Sequence, residues 1–150
     1  MPELPASGGT ILAFDFGLRR IGVASGQTLT GTAGAVTVIA HRTEPDWNAI
    51  EAIVHEWRPD AFVVGLPLDS EGNETDMSRR ARAFGDELDR RFGRTVYFSD
   101  ERLTSMAARE QFTAARSTGQ ARARDARKLD ARAAQIILEN WLQSQPGQDA

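Results

Sequence analysis

The order of apolar runs in this chain predicts an α/β sheet covered on both faces, with an antiparallel meander in front and parallel crossovers behind. Three observations carry that prediction. Three strand-like runs follow one another before any helical period begins. Two further apolar runs then alternate with amphipathic helical stretches, the pattern of parallel crossover connections. The run Ala61 to Leu66 is too short and too uniformly apolar for a surface helix, and fits a central strand covered on both sides.

The elements follow in order. Thr10 to Phe16 (TILAFDF) is a strand interrupted by one acid, Asp15, and followed by Gly17. After a tight turn at Leu18-Arg19-Arg20, Ile21 to Ser25 is a second strand, close enough to pair with the first as a hairpin. Gly26 to Gly34 is polar and reads as a loop, and Ala35 to Ala40 is the third strand. Pro45-Asp46 opens a helix with Trp47, Ile50, Ile53, Val54 and Trp57 at helical spacing, ending before Pro59. The strand Ala61 to Leu66 stops at Gly65-Leu66-Pro67, and the polar loop from Asp69 to Asp76 leads into a helix to about Arg91. Thr95 to Phe98 is the last strand and ends in Ser99-Asp100-Glu101-Arg102. Leu103 to about Ala115 reads as a helix, Arg116 to Arg124 as a mobile basic loop without an apolar period, and Ala126 to Leu142 as the final helix.

With 150 residues, 41% hydrophobic and 26% charged, the chain has the size and composition of one globular domain. We expect that domain over residues 10–143, between a flexible N-terminus (1–9) and a flexible tail (144–150). The absence of cysteine excludes disulfides, thiolate zinc sites, iron–sulfur clusters and a cysteine nucleophile, and imidazole can come only from His41 and His55. Any metal must be bound through oxygen. No run is long enough to span a membrane and the first ten residues lack signal-peptide character, so a soluble, cytoplasmic protein without membrane partners is expected. The net charge of −3 is unevenly spread: residues 1–100 hold ten basic and fifteen acidic side chains, residues 101–150 eight and six. Lys128 is the only lysine, a preference that codon bias explains without function.

In open α/β sheets functional groups gather beyond the carboxyl ends of the strands. Asp15 sits near such an end, inside an apolar run where an unpartnered carboxylate would be costly, which favours a functional role over a turn residue before Gly17. Glu101, with Asp100, lies just past the last strand. Asp130 precedes Ala134, Ile137, Leu138 and Trp141 by four, seven, eight and eleven residues, so it shares their apolar helical stripe. A carboxylate favoured by the helix dipole would explain it equally well. Three acids from distant parts of the chain suit Mg²⁺ or Mn²⁺, which take oxygen ligands and keep several waters. Such ions activate water and stabilise a leaving oxygen at a phosphodiester. Arg116, Arg122, Arg124, Arg127 and Lys128, close to Asp130, could contact phosphates or could be a solvated basic segment.

Four motifs in register carry a resemblance. Asp15-x-Gly17 with Arg20-Ile21-Gly22-Val23-Ala24, Gly65-Leu66-Pro67-Leu68, Asp100-Glu101-Arg102-Leu103-Thr104-Ser105, and Lys128-Leu129-Asp130-x-x-Ala133-Ala134-x-x-Ile137-Leu138 span residues 10 to 142. Together they resemble the YqgF/RuvX family. The resemblance implies an RNase H-like mixed five-stranded sheet related to the RuvC junction resolvases. It also implies Asp15, Glu101 and Asp130 as catalytic, metal-binding carboxylates, with Asp100 as a supporting ligand. Two departures stand out: Ser25-Gly26 occupies a place where relatives commonly have Ser-Asp, and the basic residues before Asp130 are arginines interleaved with alanine where lysines are common. Gly65-Leu66-Pro67 reads as a structural strand end that could also underlie a phosphate. Thr104 and Ser105 read as helix caps, and Trp47, Trp57 and Trp141 as core or interface.

The activity expected from the resemblance is that of a metal-dependent nuclease acting on structured nucleic acid. Maturation of the 5′ end of pre-16S rRNA during ribosome biogenesis comes first and branched DNA in recombination and repair second. The rival expectation is a non-catalytic RNA-binding factor of ribosome assembly, with the ribosomal subunit precursor as partner. An actin-like sugar kinase shares the Asp-x-Gly turn, but this chain is too short for its second lobe. Either a monomer or a homodimer is compatible with the sequence.

Overall fold

The computed structural model describes residues 9–101 and 123–145, with side chains in the second stretch from 131 onward. Five strands, β1 (Thr10–Phe16), β2 (Arg20–Gln27), β3 (Thr32–Ala40), β4 (Ala61–Leu66) and β5 (Thr95–Asp100), form one sheet in the order β3-β2-β1-β4-β5. The first three pair antiparallel, and β4 joins β1 and β5 in parallel. Three helices accompany them: α1 (Trp47–Trp57), α2 (Asp76–Phe92) and α3 (Ala123–Gln143).

Strand alternation divides the core in two. Leu12 and Phe14 of β1, with Phe62, Val64 and Leu66 of β4, pack against Ile50 and Val54 of α1 and Ala81, Phe84 and Leu88 of α2. Ile11, Ala13, Ala61 and Val63 face the other way, against Ala134, Ile137, Leu138, Trp141 and Leu142 of α3. All six residues of β4 are buried, which is why its sequence lacks polar alternation.

The helix ends follow local chemistry. The Asp46 side chain accepts from the Ala49 N–H at the start of α1. Arg58 closes α1 in the left-handed region, φ 47°, just before Pro59. Helix α2 begins with a reciprocal capping box between Thr75 and Ser78 and ends on left-handed Gly93, φ 65°.

Three expected boundaries shift. The supposed loop Gly26 to Gly34 is largely a hairpin, with Gly26 paired to Ala33 and Gln27 to Thr32. A methyl group on Gly26 would lie 2.8 Å from Leu138 Cδ2, so this glycine marks close approach of α3 to β2 rather than a turn. β3 also carries an extra residue at Val36, because Val23 pairs with Thr37 and Ala24 with Ala35. β5 runs on through Ser99 and Asp100, since the parallel register continues from Gly65↔Ser99 to Leu66↔Asp100. The final helix begins at Ala123, so Arg124 falls within α3 and not in a loop, consistent with the helix-forming composition of Ala-Arg-Asp-Ala-Arg-Lys. The expected helix from Leu103 to Ala115, and most of the basic loop after it, lie outside the described residues.

Candidate functional site

Asp15 continues the alternation of Ile11 and Ala13 and so occupies the α3 side of the sheet. The parallel pairing of Phe14 with Val64 puts Asp15 in the next row, beside Gly65 of β4. Adjacent strands lie about 4.8 Å apart, so the two backbones are immediate neighbours there. On the far side of Gly65, Glu101 follows β5 and turns its side chain back over the glycine. A methyl group on Gly65 would stand 2.8 Å from Glu101 Oε1 and 3.2 Å from its Cγ. The same methyl would stand 2.7 Å from Ile137 Cδ1 of α3. Gly65 is thus a bare floor between two acidic positions, roofed at one side by the helix. Its missing side chain makes the space that Glu101 uses.

The direction of α3 places Asp130. Leu138 and Leu142 lie over Gly26, which pairs with Ile11 at the start of β1. Trp141 packs on Tyr97, centroids 5.0 Å apart, in the row of Val63, while Ile137 reaches Gly65 two residues farther along. Moving toward the helix N-terminus therefore moves toward the carboxyl ends of β4 and β5. Asp130 is one turn before the buried Ala134 on that same helix, roughly 10 Å along the axis beyond Ile137. Its backbone belongs to the element that crosses this end of the sheet; its side chain lies outside the described residues, as do those of Arg116, Arg122, Arg124, Arg127 and Lys128 and the motif residues Thr104 and Ser105. Asp100 pairs with Leu66, whose side chain enters the α1/α2 core, so its register position belongs to the opposite face. Among the described residues, no group of three His, Asp or Glu side chains is gathered as a metal site.

The loop beyond β4 is fixed from α2. Thr75 Oγ1 donates to the Pro67 carbonyl at 2.8 Å and accepts from the Ser78 N–H at 3.0 Å. Ser78 Oγ in turn reaches the Glu74 carboxylate, which also pairs with Arg82. The hydroxyl of Ser78 and then the Arg82 guanidinium hold the Glu74 carboxyl below the usual carboxylate range. Asp69 Oδ1 accepts from the Glu71 and Asn73 N–H groups at 2.9 and 2.8 Å, closing the loop on itself. These anchors were not picked out from the sequence, although Thr-Asp-Met-Ser before a helical stretch is a capping pattern.

The tryptophans divide. Trp141 is buried against Tyr97 and Trp47 stacks on Phe84 beneath the Arg91 guanidinium, whereas Trp57 is 36% exposed and does not belong to the core.

Strand order, mixed pairing and helices on both faces define an RNase H-like α/β fold. Two solved structures of RuvC from Thermus thermophilus share it, one of them in complex with a Holliday junction substrate. That complex superposes with a TM-score of 0.53 at 16% identity, covering 92% of this chain and 96% of the other. The family model described as "RuvX: Holliday junction resolvase" matches residues 9–144, and the chain belongs to that family. Curated relatives carry the name "Putative pre-16S rRNA nuclease": one from Pseudomonas aeruginosa is 47% identical over 137 residues, 91% of this chain and 93% of its own length. Others are 46% identical, from Yersinia enterocolitica over 92% of this chain and 97% of the relative, and from Xanthomonas euvesicatoria over 95% and 94%. Among the described residues no helix is long and apolar enough to cross a membrane.

Proposed function

We propose that this chain is a divalent-metal-dependent nuclease that hydrolyses phosphodiester bonds in structured nucleic acid, with the 5′ end of pre-16S rRNA as its substrate. The observation that carries this reading is the bare floor at Gly65, flanked on one face by Asp15 and by the folded-back Glu101 and crossed by the helix that bears Asp130. Oxygen donors alone, without thiolate or imidazole, suit Mg²⁺ or Mn²⁺, and a methyl at position 65 would press on the Glu101 carboxylate. Asp15, Glu101 and Asp130 would hold the ion, which supplies activation of water and charge neutralisation at the phosphodiester. Asp15 is fixed by the β1–β2 ladder, and the Glu101 and Ile137 side chains both lie over Gly65. The apolar contacts of Ile137 and Leu138 exclude water from the side of the site away from solvent.

The substrate follows the names of the curated relatives, whose similarity extends over nearly the whole chain. A Holliday junction is the second reading, favoured by the family description and by the RuvC complex. Purified protein is incubated with labelled pre-16S rRNA and with a four-way DNA junction, with Mg²⁺, Mn²⁺ or EDTA. Metal-dependent cleavage of the rRNA precursor is expected. Glu101→Gln should abolish cleavage while leaving RNA binding equal or tighter, because a negative charge beside phosphate is removed. A wild-type protein that cuts neither substrate, together with a Gln variant that still supports rRNA maturation in cells, would refute the enzyme reading in favour of a binding factor.

A further inference from the structure

Phe16 follows Asp15 at the carboxyl end of β1 and turns to the α1/α2 side of the sheet. There its ring meets His41 at 5.0 Å and Phe84 at 5.2 Å between centroids. Trp47 stacks on Phe84 at 5.5 Å with only 25° between the planes. These rings, with Pro45 and with Arg80, Ala83 and Glu87 of α2, line an open cleft of about 300 Å³. Phe16 and His41 are each only partly buried and lend ring surface to the cleft, whereas Trp47 already carries Phe84 and the Arg91 guanidinium against its ring. That volume is at the small end for pockets that take an organic group.

The lining has the chemistry of a nucleobase site. Aromatic faces give a base flat partners to stack on, which is how proteins take up unpaired bases. His41 Nδ1 lies 2.6 Å from the Gly17 carbonyl; a carbonyl can only accept, so Nδ1 is the donor and Nε2 is left free of this bond. Arg80 adds a donor to the lining, and Glu87 adds a carboxylate that already pairs with Arg90 and Arg91. The cations Arg80 and Arg19 are both exposed, and the Arg19 carbonyl accepts from the His41 N–H at 3.0 Å. Arg80 thus brings one exposed guanidinium to the cleft, where a phosphate flanking a docked base would pass. The His41 bond to Gly17 also ties this cleft to the residue two positions after Asp15.

We propose that the cleft receives one unpaired nucleobase of the same strand whose phosphate is held at Asp15 and Glu101, and so sets where along the strand the cut falls. Asp15 and Phe16 are consecutive and project to opposite faces, so a strand crossing the carboxyl edge of the sheet near Gly17 reaches both. The proposal rests on the nuclease reading above, and binding measurements separate the two. The probe is an RNA hairpin with a single-stranded tail, its stem fixing the register, and a DNA of the same sequence, each with one abasic nucleotide moved stepwise along the tail. Affinity for the full-length protein is measured by fluorescence anisotropy, with Ca²⁺ in place of Mg²⁺ or Mn²⁺.

One abasic position should weaken binding by roughly ten- to a hundredfold, as loss of a stacked base does, while its neighbours have little effect. The exposed Ala83 allows the cleft to be filled without touching the core: Ala83→Trp should weaken binding of the intact tail to the same level and erase the abasic effect. Comparing RNA with DNA shows which strand chemistry the base comes from. Uniform affinity at every abasic position in both nucleic acids overturns the proposal, and needs no variant to fold. A positional effect in a protein that cuts neither substrate would refute the nuclease reading and leave the base site standing.

Discussion

Gly65→Ala tests the site through one methyl group. The new Cβ would stand 2.7 Å from Ile137 Cδ1 and 2.8 Å from Glu101 Oε1, both closer than real Cβ contacts, and 3.2 Å from Glu101 Cγ. Gly65 is not among the described glycines with positive φ, so alanine brings no backbone strain. Both obstructing atoms are ends of flexible side chains and can move. The stability cost should therefore fall low in the range for overpacking, about 1 kcal/mol, which lowers the Tm by ~2–4 °C in a chain of this size. The catalytic cost should be far larger. Relieving the clash requires the Glu101 carboxylate to shift by several tenths of an ångström or more, and misplacement near 1 Å can cost ~100-fold in rate. Two other glycines calibrate the result. Gly85→Ala would press on Phe98 Cζ at 2.6 Å and Cε1 at 2.7 Å, a ring packed against α2, and should lower the Tm without affecting kcat of the residual folded enzyme. Gly34→Ala meets nothing within 4 Å and should change neither. Thermal melts and single-turnover cleavage of the preferred substrate read both quantities. A Gly65→Ala enzyme with lowered Tm and unchanged cleavage rate would show that Glu101 does not work from its place over this glycine.

Asp130→Asn should remove cleavage while leaving the Tm equal or higher, because acids gathered for a metal repel one another without it; a large drop in Tm would instead mark a structural role. Neutralising Arg122 and Arg124 together should weaken nucleic-acid binding equally for all sequences and flatten its dependence on salt, and an unchanged slope in a salt titration would remove this segment as a phosphate clamp. Thr75→Ala deletes both the cap of α2 and the bond to the Pro67 carbonyl and should cost about 1 kcal/mol in denaturant unfolding, whereas Thr75→Ser, which keeps the oxygen, should cost much less.

The strands that carry a full core pattern were legible from sequence, because burial writes itself into apolar runs. β1 and β4 match their expected limits, and α1 starts directly after Pro45-Asp46, where a helix was expected to open. One stretch was misread because backbone proximity replaces side chains there. Gly26 and Gly34 look like loop residues, yet Gly26 is a strand position thinned to admit Leu138 and Leu142, a reason that exists only once α3 has docked. For the site, the strand-end rule and the spacing on the last helix singled out Asp15, Glu101 and Asp130, and the fold puts the first two positions on one face and aims α3 toward their end of the sheet. What sequence could not reveal was the floor between them. A glycine before Leu-Pro reads as a strand terminus, and only the row shared by Asp15, Gly65 and Ser99 shows it lying between the two acidic positions. The aromatic cleft was likewise hidden, since Phe16, His41, Trp47 and Phe84 come from four separate elements or connections.

Two adjacent acids after the same strand illustrate how much depends on register. Side chains alternate across a sheet with a period of two, so a slip of one residue exchanges the faces. Ser99 pairs with Gly65 and is buried, and Asp100 pairs with Leu66, which points into the α1/α2 core. Glu101, one residue on, returns to the side of Asp15 and needs its longer stem to reach back over Gly65 from beyond the strand end. The choice between Asp100 and Glu101 is therefore set far from either acid, by the pairs that lock β5 against β4, from Ala61↔Thr95 to Val64↔Phe98. Phe98 is wedged against Gly85 of α2 and Tyr97 against Trp141 of α3, so both layers hold the strand in that register. The hydrophobic core thereby determines which carboxylate stands above the glycine floor.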